Sequence, residues 1–286
     1  MLDHINNRLE ALLKACREPK LYEVMAYTVL GEGKRIRPLL LLASCEAIAG
    51  TYSDTTLDFA CAIEMIHAYS LAHDDLPAMD NDDFRRGRPT CHKAFTEGLA
   101  ILAGDGLLSL AVEVMAQRIS DLSEESHMAA MALNCIIKAA GVNGMVAGQM
   151  SDIINEGKKI DAQTLSEIHR RKTGALFTAC FEAGAILGGG DKPLTENMIK
   201  LGRAVGMAFQ IKDDILDVTS TAQALGKPIG SDSKNQKNTY VSVHGLGAAE
   251  GEYERICNEI MGMLESIPRK TTTLYKLVSE TLARTR

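Results

Sequence analysis

Apolar residues recur at intervals of three and four positions along most of the chain, a spacing that predicts amphipathic helices. The same stretches are rich in Ala, Leu, Met, Glu and Lys, which favour helices, and runs that alternate apolar and polar residues are nearly absent. The chain has no proline between Pro89 and Pro193, and both of these prolines fall at plausible helix boundaries. The pattern therefore predicts an all-α protein, a bundle of about ten or more helices.

Two of the predicted helices, over residues 57–75 and 199–217, are apolar nearly all round, which is typical of central, buried helices. Each of them nevertheless ends in clustered aspartates. Two like charges about 4 Å apart repel by about 4 kcal/mol at an effective dielectric constant near 20, before the cost of desolvation is added. A buried cluster of this kind requires a cation.

In the second cluster the spacing of the aspartates supports a shared cation. Asp213 and Asp217 are four residues apart and therefore face one side of the helix, with Asp214 beside them.

In the first cluster Asp74, Asp75 and Asp80 cannot share one face of a straight helix, since six residues rotate the chain by about 240° net. Pro77 is expected to end the helix near Asp75, so that the following loop returns Asp80 toward Asp74.

Carboxylates with no Cys or His at ligand spacing favour a hard cation such as magnesium, which binds one or two carboxylates together with substrate phosphates. The sequence therefore predicts a phosphate-bearing substrate. A solvated helix end is the alternative for either cluster alone, and the presence of two clusters, each closing a buried helix, weighs against it.

Basic residues stand in short groups that suit phosphate oxygens, although each group alone is also typical of a solvated helix end. Arg85 and Arg86 carry more weight because they follow the first aspartates within a few residues. His67 lies seven residues before Asp74, on nearly the same stripe of the helix, where it is either a buried core histidine or a phosphate donor. The groups are residues 33–38, 85–88 and 170–173, and Lys227.

Composition narrows the classes of protein further. The 286 residues carry 31 Lys and Arg against 37 Asp and Glu, a net charge of −6 that argues against a nucleic-acid binder. The short linkers favour a single domain over residues 1–286. The seven cysteines form no CxxC pair, the start is not basic, and no apolar run approaches the length of a membrane span, so a soluble, cytoplasmic protein is expected.

Six motifs together resemble the trans-isoprenyl diphosphate synthases, in that family's order and over nearly the whole chain. They are GKRIRP (33–38), IHAYSLAHDDLPAMDNDDFRRG (66–87), GQMSD (148–152), RKTGALF (171–177), FQIKDDILD (209–217) and LGKPIGSD (225–232). The resemblance implies an isoprenoid synthase fold, which is a helical bundle around a central apolar cavity, together with a magnesium cofactor and a homodimer.

The chemistry that the resemblance implies is a condensation of two diphosphates. An allylic diphosphate, dimethylallyl or geranyl, is held by magnesium between the aspartate clusters and ionises to an allylic cation. The double bond of isopentenyl diphosphate attacks this cation, and the released diphosphate takes the proton. Cationic groups stabilise the charge that grows on the leaving group.

The resemblance also assigns site residues by their positions in the motifs. The implied metal ligands are Asp74, Asp75, Asp80, Asp213, Asp214 and Asp217. The implied isopentenyl diphosphate site consists of Lys34, Arg37, His67 and Arg86. The implied allylic diphosphate site has Arg85, Lys172 and Lys227 as its clamp, Thr173 and Gln210 as oxygens turned toward the cation, and Gln149 and Asp152 as supports beside the metals.

Tyr69 is the candidate for the residue that limits product length. It precedes Asp74 by five residues, about 7.5 Å along the helix axis, beside the cavity expected for the growing tail. Tyr69 with Ser70 and the wide DDxxxxD form of the first motif resembles the bacterial farnesyl diphosphate synthases, whereas a smaller residue would resemble geranylgeranyl diphosphate synthases. Core filling by Tyr69 is the alternative.

Other functions stay open. A class I terpene cyclase also uses an aspartate-rich helix and magnesium, but it would leave the isopentenyl diphosphate residues idle, and this chain has no tryptophan to surround cyclic cations. His73-Asp74 is compatible with a metal phosphohydrolase, which would need further histidines at ligand spacing. An inactive helical subunit that modulates a partner synthase is the non-enzyme alternative, and the intact aspartates count against it.

Overall fold

The computed structural model describes residues 1–122, 124, 126–219, 237–267 and 272–284, and it is helical throughout except for one small ribbon. The first half contains α1 (Leu2–Leu13), α2 (Pro19–Val29), α3 (Ile36–Ala49), α4 (Asp54–Asp74), β1 (Phe84–Arg85), β2 (Arg88–Pro89), α5 (Cys91–Ala94), α6 (Glu97–Asp121) and α7 (Ser126–Ala140). The second half contains α8 (Met145–Ile154), α9 (Ala162–His169), the π-helical segment π1 (Arg170–Gly174), α10 (Ala175–Leu187), α11 (Lys192–Thr219), α12 (Tyr240–His244), α13 (Leu246–Glu265) and α14 (Thr272–Leu282).

Both helices that were predicted to be central, α4 and α11, are packed between other helices. α4 is buried on almost every side and packs against α6 and α3, while α11 packs against α10 and α13. Two acidic side chains are buried within α4, and each is neutralised by arginine. Asp58 pairs with Arg8 and Arg118, and Glu64 pairs with Arg35 at 2.9 Å. Removing one partner of such a pair would leave a buried charge uncompensated.

The end of α4 follows the predicted course. Asp75 is its C-cap, and Pro77 prevents the helix from continuing. The backbone N–H of Asp80 donates to the carbonyl oxygen of Asp74 at 2.8 Å, so the loop does return to the end of the helix. Asp74 and Asp80 are thereby held together by the backbone.

A two-stranded antiparallel ribbon follows this loop, and the helical periodicity did not predict it. Phe84 pairs with Pro89, and Arg85 pairs with Arg88. The two residues between them, Arg86 and Gly87, have φ values of 53° and 75°, which is the left-handed geometry of a tight hairpin turn. The ribbon fixes the directions of two arginines that a loop would leave variable.

α9, π1 and α10 form one continuous helix, and π1 is a wider, π-helical turn within it. A Cβ on Gly148 of α8 would lie 2.2 Å from the backbone nitrogen of Lys172, and a Cβ on Gly206 of α11 would lie 2.9 Å from Cα of Gly174. Only glycine allows two helices to approach π1 this closely. The two contacts hold Lys172 and Thr173 between α8 and α11.

Two stretches, Glu97–Asp121 and Ser126–Ile154, are long and apolar enough to cross a membrane by length and composition alone. The core helices of globular proteins pass the same test. The first stretch is α6, which packs along α4, α2 and α7, and the second is interrupted by the turn at residues 141–144.

Candidate active site

One cavity of about 1140 Å³ opens between the end of α4, the ribbon, α8, π1 and α11. Asp74 and Asp213, one from each aspartate cluster, both line it. The two central helices therefore bring their acidic ends to a shared cleft. The other predicted site residues in its wall are Lys34, Arg37, His67, Tyr69, Ser70, Arg85, Arg86, Gln149, Lys172, Thr173 and Gln210.

In the first cluster Asp74 lines the cavity, while Asp75 and Asp80 pair with basic side chains. Burial raises the pKa of Asp74 to about 6, although the nearby Lys172 acts in the opposite direction. Asp75 accepts two hydrogen bonds from Arg85 at 2.8 and 2.6 Å, and Asp80 pairs with Lys237 at 2.7 Å.

The second cluster is divided in the same way. Asp213 pairs with Arg284 at 2.8 Å in the wall of the cavity. Asp214 is buried beneath it and accepts hydrogen bonds from the side chain of Gln210 at 2.9 Å and from the backbone N–H of Tyr240 at 2.6 Å. Asp217 is also buried and is not part of the wall. Their metal-binding roles stay predictions.

The two clusters offer the donor type that a hard cation prefers, but their side chains are not gathered around a common point. Within the described parts of the chain, no three carboxylate, imidazole or thiol side chains stand close enough to hold a metal ion together. Instead, Lys and Arg side chains neutralise Asp75, Asp80 and Asp213. The donors are oxygens only, and the raised pKa of Asp74 shows that the cavity disfavours an uncompensated negative charge.

Arg37 and His67 form a part-buried pair in the wall of the same cavity. Burial and the neighbouring guanidinium of Arg37 lower the pKa of His67 well below its usual value, so its imidazole is neutral. Nη1 of Arg37 lies 3.2 Å from Nε2 of His67, and a guanidinium can only donate. Nε2 of His67 is therefore the acceptor, and Nδ1 carries the proton.

The turn before α3 directs its basic side chains to two different places. Arg35 has a left-handed φ of 50° and is buried against Glu64, while Lys34 and Arg37 line the cavity. Arg86 joins them by donating to the carbonyl oxygen of Glu32 at 2.8 Å. Three cations thus converge on one wall, as a diphosphate requires.

π1 supplies another part of the wall. Nζ of Lys172 lies 2.5 Å from Asp152 of α8. The hydroxyl of Thr173 donates to Oε1 of Gln210 at 2.7 Å, which leaves the lone pairs of Thr173 for the cavity that both residues line. Gln210 in turn donates to Asp214, so a chain of hydrogen bonds connects this wall with the second aspartate cluster.

Part of the predicted site lies outside the described residues. This part is the motif at residues 225–232, which contains Lys227.

The apolar part of the cavity extends along α4 and α8. Tyr69 and Ser70 line it from α4, and Met145, Met150 and Ile153 line it from α8. Met150 is 61% exposed, so this apolar wall is open in the single chain.

Comparison with known proteins assigns the chain to a family. The family model described as Polyprenyl synthetase matches residues 18–278. The chain belongs to this family. The farnesyl diphosphate synthase of Geobacillus stearothermophilus is 48% identical over 234 residues, which is 81% of this chain and 77% of that protein. The large subunit 1 of the heterodimeric geranylgeranyl pyrophosphate synthase of Arabidopsis thaliana is 44% identical, over 91% of this chain and 71% of that protein.

A solved structure shares the fold of this chain. The geranyltransferase of Helicobacter pylori, complexed with magnesium and isoprenyl diphosphate, superposes with a TM-score of 0.84 and 31% identity, and covers 96% of this chain and 93% of that one. Membership of the family identifies the chain as a prenyltransferase.

Two side chains of the candidate site were missed from the sequence. Arg284 follows α14 and lies over the ring of Phe209, 3.6 Å from its centroid, while it pairs with Asp213. Lys237 pairs with Asp80 from 157 residues away in the chain. Neither stands in a helical pattern that points to a site. The only available signal for Lys237 was its position in the polar run after the second cluster.

Proposed function

We propose that this protein condenses isopentenyl diphosphate with an allylic diphosphate, dimethylallyl or geranyl, and that its main product is farnesyl diphosphate. The observation that carries the proposal is the shared cavity, in which Asp74 and Asp213 face a wall of cations and an apolar channel that Tyr69 borders. A diphosphate head and a hydrocarbon tail need this combination.

The allylic diphosphate lies between the two aspartate clusters. Arg85 and Lys172 are placed to bind its oxygens, while Asp75 and Asp152 hold these two cations in position. The carbon–oxygen bond of the substrate breaks, and the electron pair leaves with the diphosphate. The cations stabilise that charge more strongly beside the buried wall of the cavity, where the dielectric constant is lower, than they would in bulk solvent.

Magnesium, when bound, neutralises the departing diphosphate. Asp74 and Asp80, which the loop after α4 holds together, and Asp213, Asp214 and Asp217 are the residues proposed to hold it.

Isopentenyl diphosphate occupies the part of the wall that is formed by the start of α3 and the turn of the ribbon. Lys34, Arg37 and Arg86 bind its diphosphate, and Nδ1–H of the neutral His67 adds a donor. Its double bond attacks the allylic cation, a carbon–carbon bond forms, and a proton leaves to the released diphosphate. The oxygen of Thr173, with Gln210 behind it, stabilises the cation without a covalent bond.

The test is incubation of the purified protein with magnesium, isopentenyl diphosphate and geranyl diphosphate, followed by mass spectrometry of the products. Farnesyl diphosphate supports the proposal, and a chelator of divalent metals is expected to abolish its formation. A cyclised hydrocarbon would instead identify a terpene cyclase. No product from the folded protein would indicate an inactive subunit.

Geranylgeranyl diphosphate synthase is the second candidate, because the Arabidopsis relative carries that name. Tyr69 favours the shorter product, since this residue is only 8% exposed and borders the cavity. The same mass spectrum separates the two products.

We further propose that the enzyme is a homodimer in the cytoplasm. Ile101, Leu102 and Val112 of α6 are 44%, 57% and 37% exposed, an apolar face that a second copy would cover. All seven cysteines are free thiols, as in a reducing compartment.

A further inference from the structure

His73 is a second ring beside Tyr69 in the wall of the cavity. It follows Tyr69 by four residues, so the two side chains leave α4 on the same face, one turn apart. Their ring centroids are 5.8 Å apart with an interplanar angle of 77°, an edge-to-face contact. Both rings line the cavity.

α6 determines where the ring of His73 lies. Nε2 of His73 is 3.0 Å from the carbonyl oxygen of Ile101, which can only accept, so Nε2 donates. Gly104 lies one turn further along α6, and a Cβ there would stand 2.1 Å from Nε2 and 2.6 Å from Cδ2 of the imidazole. The ring therefore occupies the space that any other residue at position 104 would fill.

We propose that product length is set by two adjacent rings in the cavity wall, Tyr69 and His73, and that Gly104 of α6 determines how far these rings extend into the cavity by admitting the imidazole. The proposal rests on the proposed function and adds His73 and Gly104 to it as specificity-determining residues. Neither contacts a diphosphate-binding side chain through any hydrogen bond described above.

The direction of each effect follows from the packing. A methyl group at position 104 overlaps the imidazole, and the backbones of α4 and α6 are fixed by their mutual packing, so the ring must move away from α6 and into the cavity. The tail then has less room. Removal of the imidazole has the opposite effect, since it leaves space beside Tyr69 and takes away its edge-to-face neighbour.

The test measures the product distribution of Gly104→Ala, His73→Ala and the double variant with magnesium, isopentenyl diphosphate and dimethylallyl diphosphate. Gly104→Ala is expected to raise the ratio of geranyl to farnesyl diphosphate about tenfold, and His73→Ala to raise the ratio of geranylgeranyl to farnesyl diphosphate by a similar factor. The double variant is expected to behave as His73→Ala does, because the methyl group no longer meets a ring.

Gly98→Ala is the matched control, since Gly98 lies on the same helix and a Cβ there meets nothing within 4 Å. It is expected to leave the products unchanged. Unaltered products in folded Gly104→Ala and His73→Ala would overturn the proposal, as would a double variant whose products are as short as those of Gly104→Ala. A wild-type protein that makes no prenyl diphosphate would refute the proposed function instead.

Discussion

His67 and Arg37 share a part-buried corner of the cavity in which only Arg37 carries a charge. The neutral imidazole accepts from Arg37, and the guanidinium also lies over the ring of Phe177, 4.6 Å from its centroid. The stack and the hydrogen bond fix the plane of the guanidinium, so its remaining donors point in set directions. Position 37 therefore needs the shape of arginine in addition to its charge.

Arg37→Lys tests this requirement, because lysine keeps the charge and loses the planar fork. Loss of one charge-assisted hydrogen bond costs about 1.5–3 kcal/mol, so the KM for isopentenyl diphosphate is expected to rise about 10- to 100-fold. The KM for the allylic diphosphate is expected to stay the same. Steady-state kinetics with each substrate varied in turn measure both values.

Arg88→Lys is the matched control for that experiment. The guanidinium of Arg88 also lies over an aromatic ring, that of Tyr27 at 4.3 Å, but Arg88 is not part of the cavity wall. Equal increases in KM for both substrates, or an equal effect of Arg88→Lys, would contradict the assignment of Arg37.

Tyr69→Ala is expected to lengthen the main product beyond farnesyl diphosphate, because the ring borders the apolar channel about 7.5 Å from Asp74 along α4. Chromatography of radiolabelled products measures the chain length. Tyr52→Ala removes a tyrosine outside the cavity and is expected to leave the product unchanged. An unchanged chain length in folded Tyr69→Ala would show that Tyr69 only fills the core.

At the scale of elements, π1 depends on the close approach of two neighbouring helices. Its widened turn moves Lys172 and Thr173 out of the regular register, and it is held between glycines of α8 and α11. Helical periodicity predicted a helix here but not the π turn, since the same residues could form a regular α-helix. The close approach of Gly148 and Gly206 is what makes the widened form fit.

Gly148→Ala is expected to lower the free energy of unfolding by about 1–3 kcal/mol, because the new methyl group meets the backbone nitrogen of Lys172 and neither helix can yield freely. Its kcat is expected to fall as well, since Lys172 is displaced from Asp152. Thermal denaturation and product assays measure the two effects.

Gly251→Ala provides the comparison for Gly148→Ala. Gly251 lies in α13, and a Cβ there meets nothing within 4 Å, so the higher helix propensity of alanine is expected to stabilise the protein by up to about 1 kcal/mol. If Gly148→Ala were equally stable and active, the close contact would have no role in the site.

The molecule as a whole is acidic, with a net charge of −6, yet its cavity gathers Lys and Arg from α3, the ribbon, π1 and the segment after α14. The exposed apolar residues are also unevenly distributed, with several on the outer face of α6. Neither feature follows from the overall composition. Both result from the way in which the helices are assembled.

If the proposed homodimer forms through α6, Leu102→Glu is expected to convert it to monomers, since the substitution places a charge in the middle of the apolar face of α6. Light scattering coupled to size-exclusion chromatography measures the mass. Leu246→Glu replaces an exposed leucine on α13, outside that face, and is expected to leave the mass unchanged. A monomeric wild-type protein would exclude the dimer.

The sequence by itself determined the all-helical fold, the two buried helices that end in aspartates, and the return of the chain after Pro77, because periodicity and proline act over a few residues. The family followed from ordered motifs, which need no coordinates. Tertiary structure alone decided that Asp74 and Asp213 face the cavity. It also decided that Asp75 binds Arg85, and that Asp214 binds Gln210 and the backbone of Tyr240. It also brought in Arg284 and Lys237, and it formed the ribbon and the π turn. Arg284, Lys237 and the backbone of Tyr240 contact aspartates that are far away in the chain, and spacing along the sequence carries no information about which distant group is nearest.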